Sequence, residues 1–383
     1  MKVYLIAGEL SGDKLGGALM AGLKELAPDV EFKGVGGPRM AAEGLESLFS
    51  MDELSVMGLA EVLPRLRHLF RRRDQVVADV LEWQPDVMVT IDSPDFCLRV
   101  AKKVKPVSGI RTVHYVAPSV WAWRAGRAAK MARHIDQVLA LLPFEPPYMQ
   151  AAGMECDFVG HPVVSEPVAS EAEATAFRDA HGIDGEMLLI LPGSRRGEVS
   201  RLAGRFGQTL EKVVAARPGL RAVIPAAPPV AAMLQDILAE WPGNPVLLDP
   251  RGQDEAGFAD VKRAAFRAAD TALAASGTVS LELAAAGTPM VIGYDMGWLS
   301  RQIIPRMLKV DTVTLVSLVS ETRLVPEFIG KACQPAPMAE ALLKVLDAPE
   351  AQREALELTM ERLGRGSEPP GLRAARAVLG GLS

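Results

Sequence analysis

The sequence predicts an α/β protein of two Rossmann-like domains facing each other across a cleft, and three observations predict it. Short apolar runs rich in β-branched residues alternate with stretches of helical periodicity, the pattern of open sheets with buried parallel strands. The alternation pauses around Gly160-His161-Pro162, continues through Ser165, Pro167 and Ser170 without periodicity, and then restarts. The chain has 383 residues, more than one hydrophobic core usually organises, so two domains of similar size are expected.

In the first half, strands are expected at Val3 to Ala7, Val30 to Val35, Val87 to Ile91, Thr112 to Val116 and Val138 to Leu142. The clearest helix carries Leu15, Leu19, Leu23 and Leu26 at helical spacing after a cap at Ser11 or Asp13. In the second half, strands are expected at Met187 to Leu191, Ala222 to Ile224, Val246 to Leu248, Thr271 to Ala274 and Met290 to Ile292. The domains are therefore placed at residues 1–165 and 166–349, with residues 350–383 helical and broken by a Gly- and Pro-containing stretch from Gly364 to Gly371. In such folds ligands sit outside the carboxyl ends of the strands, so chemistry is sought in the loops that follow them.

Composition narrows the classes. A net charge of −5 argues against a nucleic-acid partner, which needs a basic excess over at least one domain. Cys97, Cys156 and Cys333 are far apart and outside any C-x-x-C spacing, so neither a disulfide framework nor a zinc site is indicated and a reducing cytoplasm fits. The apolar run from Val3 stops at Glu9, too early for a signal-peptide core, and no apolar stretch approaches the roughly 18 residues of a membrane span. Any membrane association is expected to be peripheral.

The first strand runs into Gly8-Glu9-Leu10-Ser11-Gly12-Asp13 and then a helix, a turn that reads either as a capped corner or as a binding loop. The cluster Gly34-Val35-Gly36-Gly37-Pro38 is equally open. At Ile91-Asp92-Ser93-Pro94-Asp95 an apolar strand ends directly in two carboxylates. Asp92 there is placed to withdraw the proton from a sugar hydroxyl, while Asp92 or Asp95 could instead cap the next helix. After the next strand, Pro118-Ser119-Val120-Trp121-Ala122-Trp123-Arg124 spends two of five tryptophans in three residues, a surface for a sugar ring or acyl chain or plain packing. His114, just before, reads as a packed strand residue.

In the second domain Leu191-Pro192-Gly193-Ser194-Arg195-Arg196 ends a strand with a turn, a hydroxyl and two guanidiniums suited to a diphosphate. Ser276-Gly277-Thr278 lies between a strand and a helix whose first amides form an anion site. Glu282, further into that helix, reads as an acceptor for ribose hydroxyls or as an ordinary helix glutamate. The donor is thus assigned to the C-terminal domain and the acceptor to the N-terminal one. No Asp-x-Asp ends a strand, so no metal or other cofactor is expected, and Arg195 with the helix dipole would stabilise the departing diphosphate.

Two stretches combine apolar residues at helical spacing with arginines and lysines, Met57 to Arg73 and Trp298 to Lys309, a pattern shared by lipid-facing helices and by core-facing helices with solvated charges.

The strings AGELSGD (Ala7 to Asp13), GVGGPRMAAEG (Gly34 to Gly44), MDELSVMGLAEVLPRLRHL (Met51 to Leu69), IDSPDF (Ile91 to Phe96), HYVAPSVWAWR (His114 to Arg124), LPFE (Leu142 to Glu145), FVGHP (Phe158 to Pro162), LPGSRRGEV (Leu191 to Val199) and ASGTVSLE (Ala275 to Glu282) together resemble the lipid-A-disaccharide synthase family over most of the chain. The resemblance implies a GT-B fold and an inverting, metal-independent transfer from UDP-2,3-diacylglucosamine to 2,3-diacylglucosamine 1-phosphate, giving a β(1→6) disaccharide and UDP. It implies work at the cytoplasmic face of the inner membrane, with peripheral membrane contact and a homodimer in which residues 350–383 pack on the first domain or on a partner subunit. By position Asp92 looks like the family's essential aspartate. Glu9, Ser11, Gly12, Asp13, Trp123, Arg124, Gly193, Ser194, Arg195, Ser276, Gly277, Thr278, Glu282 and Arg323 fall on its substrate or nucleotide side. One departure is Ser317, which stands where relatives carry asparagine, with Arg323 still aligned to touch phosphate.

Two alternatives keep or lose the chemistry. One retains the fold and the UDP site with another substrate, as in an N-acetylglucosaminyl transferase or a UDP-sugar epimerase. The other is a catalytically silent nucleotide- or lipid-binding protein. A nicotinamide-dependent enzyme is disfavoured, since no G-x-G-x-x-G opens either domain.

Overall fold

A computed structural model describes residues 1–54, 59–121, 126–296 and 310–382, with the backbone alone for 59–65. The chain forms two compact units, Met1–Ser165 with Leu363–Ser383, and Glu166–Arg362.

The first unit holds a six-stranded parallel sheet: β1 (Lys2–Ala7), β2 (Glu31–Val35), β3 (Val87–Ile91), β4 (Arg111–Tyr115), β5 (Gln137–Ala140) and β6 (Glu155–Phe158). Their order is β2-β1-β3-β4-β5-β6. Because successive strand side chains point to opposite faces, β1 feeds two cores at once. Tyr4 and Ile6 join Met88, Val76, Val80 and Val100 on one face, while Val3, Leu5 and Ala7 join Val89, Leu19, Leu23 and Ala374 on the other. Burial on both faces is why these strands read as unbroken apolar runs.

The second unit repeats the plan with β7 (Met187–Leu191), β8 (Arg221–Pro225), β9 (Val246–Leu248), β10 (Thr271–Ala274), β11 (Met290–Tyr294) and β12 (Glu327–Ile329), ordered β12-β11-β10-β7-β8-β9. All five residues of β7 are buried, and Phe206, Leu210 and Leu342 close one face of the sheet.

Three differences from the sequence reading stand out. Strands β6 and β12 are additional; each is a short edge strand, and β6 exposes Glu155 and Asp157, so no apolar run marks either. The helix Leu10–Leu26 begins after Glu9, so Ser11 and Asp13 lie in its first turn and neither is its cap. The helix Glu350–Arg362 remains with the second unit, where Arg362 Nη1 donates to the Val319 carbonyl at 2.8 Å and the Gln352 side chain accepts from the Met290 amide. Only the segment from Leu363 returns. Its helix Pro370–Gly380 lies on Leu10–Leu26 with Ala374, Ala375 and Val378 fully buried. Among the described residues no helix is long and apolar enough to cross a membrane.

Candidate active site at two sheet reversals

In the first sheet β2 lies on one side of β1 and β3 on the other, so the winding direction reverses between β1 and β3. A crevice opens outside the carboxyl ends of strands at such a reversal. The loops that border it are the two picked out from sequence, Gly8-Glu9 after β1 and Asp92-Ser93 after β3, with Ala7 and Ile91 in register beside each other.

The backbone is strained at this edge. Asp92 (φ 51°), Ser93 (φ 40°) and, after β4, Val116 (φ 85°) are non-glycine residues in the left-handed region. Each costs on the order of 1–3 kcal/mol, and such costs gather where a side chain must be aimed. The Asp92 amide donates to the Tyr115 carbonyl at 3.0 Å, so the residue is fixed to the sheet while its side chain leaves it. Gly8 makes room for the turn: a Cβ there would sit 2.6 Å from Ser93 Oγ.

Asp92 is half-buried and accepts a long hydrogen bond, 3.4 Å, from Ser11 Oγ. The capping alternative fails, because the helix Pro94–Val104 has Ser93 at its N-cap and no side-chain cap.

Of the neighbouring residues expected to meet ligand, Glu9 and Ser11 border the crevice, whereas Gly12 and Asp13 are buried. Asp13 is 1% exposed and accepts from the Gly37, Arg39 and Met40 amides at 2.8, 2.8 and 3.0 Å. It therefore satisfies the open amides at the start of the helix Pro38–Ala42, which corrects its assignment as a ligand contact. Trp123 and Arg124 lie outside the described residues. His114 is buried with Nδ1 2.8 Å from Thr90 Oγ1, and burial, then the charge of Arg127, pushes its pKa down to about 4. Neutral at ordinary pH, it is a packed strand residue. Leu10, the first residue of the helix Leu10–Leu26, is 70% exposed beside Glu9.

In the second sheet the reversal falls between β7 and β10. Their exits are Gly193-Ser194-Arg195 and Ser276-Gly277-Thr278, joined by the Ala275 amide donating to the Leu191 carbonyl at 2.9 Å. Gly193 (φ 112°) lets the chain turn over Glu198, whose Oε2 accepts from the Ser194 amide at 3.2 Å. Arg195 is the N-cap of the helix Arg196–Ala216; its side chain is 66% exposed and lies 3.8 Å from Glu198 Oε1. Gly277 and Thr278 are exposed at the start of the helix Val279–Ala286. Two helix N-termini and a guanidinium thus stand at one reversal, an arrangement that suits a diphosphate. Glu282 accepts from Lys262 Nζ at 2.6 Å, with both side chains about one-third exposed. Lys262, on the helix Glu255–Ala268, has no local sequence pattern that would link it to Glu282.

The family model described as lipid-A-disaccharide synthetase matches residues 3–368. The chain belongs to this family. It is 63% identical over 380 residues to the lipid-A-disaccharide synthase of Ruegeria pomeroyi, covering 99% of this chain and 95% of that one. To the lipid-A-disaccharide synthase of Rhodospirillum centenum it is 48% identical, covering 98% and 94%. Among solved structures it resembles the UDP-GlcNAc 2-epimerase from Neisseria meningitidis bound to UDP-GlcNAc, with a TM-score of 0.62 at 13% identity over 100% of this chain and 99% of that one. At that identity the likeness is one of fold, two Rossmann-like domains of the GT-B kind.

In this member of the lipid-A-disaccharide synthetase family Ser317 is fully buried, and among the described residues neither its hydroxyl nor that of Thr314 has a hydrogen-bond partner. Arg323 grips Asp311 with two hydrogen bonds of 2.6 and 3.1 Å and donates to the Ser317 and Thr322 carbonyls. That pairing holds the Asp311 carboxyl below the usual range. A phosphate at Arg323 would have to compete with Asp311.

The basic helix Leu59–Trp83 is also partly neutralised. Glu53 takes two hydrogen bonds from Arg72 and one contact from His68, and Arg73 pairs with Asp74 while lying over the ring of Phe70, itself 39% exposed. The second basic stretch falls in 298–309, of which only residues outside the described set are concerned.

Proposed function

We propose that the chain transfers 2,3-diacylglucosamine from UDP-2,3-diacylglucosamine to 2,3-diacylglucosamine 1-phosphate with inversion, releasing UDP and the β(1→6) disaccharide 1-phosphate. Formation of the lipid A disaccharide is the activity for which its family and relatives are named. The observation that carries the reading onto this chain is Asp92, set by strained backbone at the first sheet's reversal.

In this reading the acceptor lies at the first reversal. Its 6-hydroxyl oxygen attacks the donor's anomeric carbon from the face opposite UDP, its proton passes to Asp92, and the bond to the β-phosphate oxygen breaks. General-base help of this kind is worth roughly 10²–10⁴ in rate. The charge left on UDP falls to Arg195 and the amides after Ser276-Gly277-Thr278, without a metal, and Glu282, held by Lys262, receives the ribose hydroxyls. Gly193 and Ser194 bring the backbone to the phosphates, and Glu9 and Ser11 flank the acceptor sugar. We further assign the chain a cytoplasmic location with peripheral contact to the inner membrane, supported by exposed Leu10 and Phe70, and a homodimeric state.

The test is direct. Purified protein given both acylated sugars should release UDP and a disaccharide 1-phosphate identified by mass, and unacylated UDP-N-acetylglucosamine should serve poorly. Asp92→Asn should lose at least about a hundredfold in kcat while melting normally; near-normal turnover would remove Asp92 from the base role.

A further inference from the structure

Glu145 follows β5 in the stretch Leu142-Pro143-Phe144-Glu145 and is 4% exposed. Its two oxygens have different partners. The Trp121 indole donates to Oε1 at 3.3 Å, and the Leu142 amide donates to Oε2 at 3.0 Å. Trp121 belongs to the loop after β4, is half-buried, and packs edge-on against Phe144 with ring centroids 5.1 Å apart. One carboxylate thus ties the loop leaving β4 to the loop leaving β5, on the same carboxyl edge that carries Asp92 one strand away.

Among the described residues no lysine, arginine or histidine pairs with Glu145. The titratable group facing it is the Cys156 thiol of β6, beside Asp157; Tyr148, on the short helix that follows, is 46% exposed. Burial pushes the Glu145 carboxyl up to about 7. A carboxylate held this way, without a cation, is costly to bury. A tie that served packing alone would be met as well by an apolar contact.

We propose that Glu145 is a positioning residue for the acceptor: by fixing the Trp121 indole, it sets one wall of the first unit's site. This rests on the reading that the first unit takes the acylated acceptor. Two variants probe the tie. Glu145→Gln has one acceptor oxygen in place of two, so it cannot accept from both the Trp121 indole and the Leu142 amide, and satisfying the amide breaks the bond to the indole. Trp121→Phe keeps a ring against Phe144 and removes the indole N–H.

Each variant should raise the acceptor KM roughly threefold to tenfold, the worth of one ordinary hydrogen bond, with donor KM and kcat near wild type. The double variant should be no worse than the worse single one, because both break the same tie. Wild-type kcat/KM for the acceptor should fall as the pH drops below about 7, and Glu145→Gln should lose that limb. If Glu145→Gln does not fold, the KM split in Trp121→Phe decides. Wild-type acceptor KM in the variants, effects that multiply in the double variant, or equal losses in kcat and donor KM would each overturn the proposal. Failure of the wild type to release UDP from the acylated sugars would strike the transfer reading instead; wild-type turnover with unaltered variants strikes only the role of Glu145.

Discussion

At the scale of single residues, position separates the groups proposed to act on ligand from the structural ones. Arg195 is mostly exposed at a helix start, and its acidic neighbour Glu198 is 3.8 Å away, so its guanidinium is open to an anion. Arg195→Ala is expected to lower kcat roughly a hundredfold with little change in melting temperature, read by steady-state UDP release beside a thermal melt. Lysine there would restore charge but not the planar fork that matches phosphate. Asp92, directly after β3, and Arg195, four residues after β7, stood out in the sequence because each lies in a loop that follows an apolar strand. Asp13 looked the same and was misread. Its partners Gly37, Arg39 and Met40 lie 24 to 27 positions away, and only the fold brings those amides to it. Glu145 was unread for the same reason, since its tie to Trp121 spans 24 positions.

At the scale of elements, strands buried on both faces announced themselves as apolar runs, whereas β6 exposes Glu155 and Asp157 and β12 is three half-buried residues beginning with Glu327, so neither reads as one. The contact between the helices Leu10–Leu26 and Pro370–Gly380 was equally silent, since small residues carry no periodic signal. There a Cβ at Gly371 would lie 2.5 Å from the Ala18 carbonyl oxygen. Gly371→Ala gains about 1 kcal/mol of helix propensity but presses on backbone that cannot rotate away, a strain of about 1–3 kcal/mol. The clash should win. We expect a lower melting temperature together with reduced turnover, because the displaced helix carries Ser11, beside Asp92, in its first turn; a rise in melting temperature would show that the two helices can slide apart without strain.

At the scale of the whole molecule, two buried groups give stability opposite dependences on pH. The folded pKa of His114 lies near 4 against an ordinary 6.5, so the unfolded chain binds its proton first and stability is lost as pH falls through that window. Glu145, raised from 4.5 to about 7, contributes stability that is complete below 4.5 and lost as pH rises through 7. The slopes oppose each other between about pH 4.5 and 6.5. Glu145→Gln removes one of them, so its melting temperature should rise more between pH 5 and pH 6.5 than the wild type's, as scanning calorimetry at the two pH values would show. The division at Ser165 was legible as a pause in periodicity, whereas the return of Leu363–Ser383 was not, since nothing local says which sheet a terminal helix will cover. That return bears on how the protein is made. The second unit is one continuous stretch, while the first lacks Ala374, Ala375 and Val378 from its core until the segment after Arg362 has been translated. The unit that is translated first is therefore completed after the second, and a nascent chain stalled before Pro370–Gly380 would carry Asp92 on a sheet with one face uncovered.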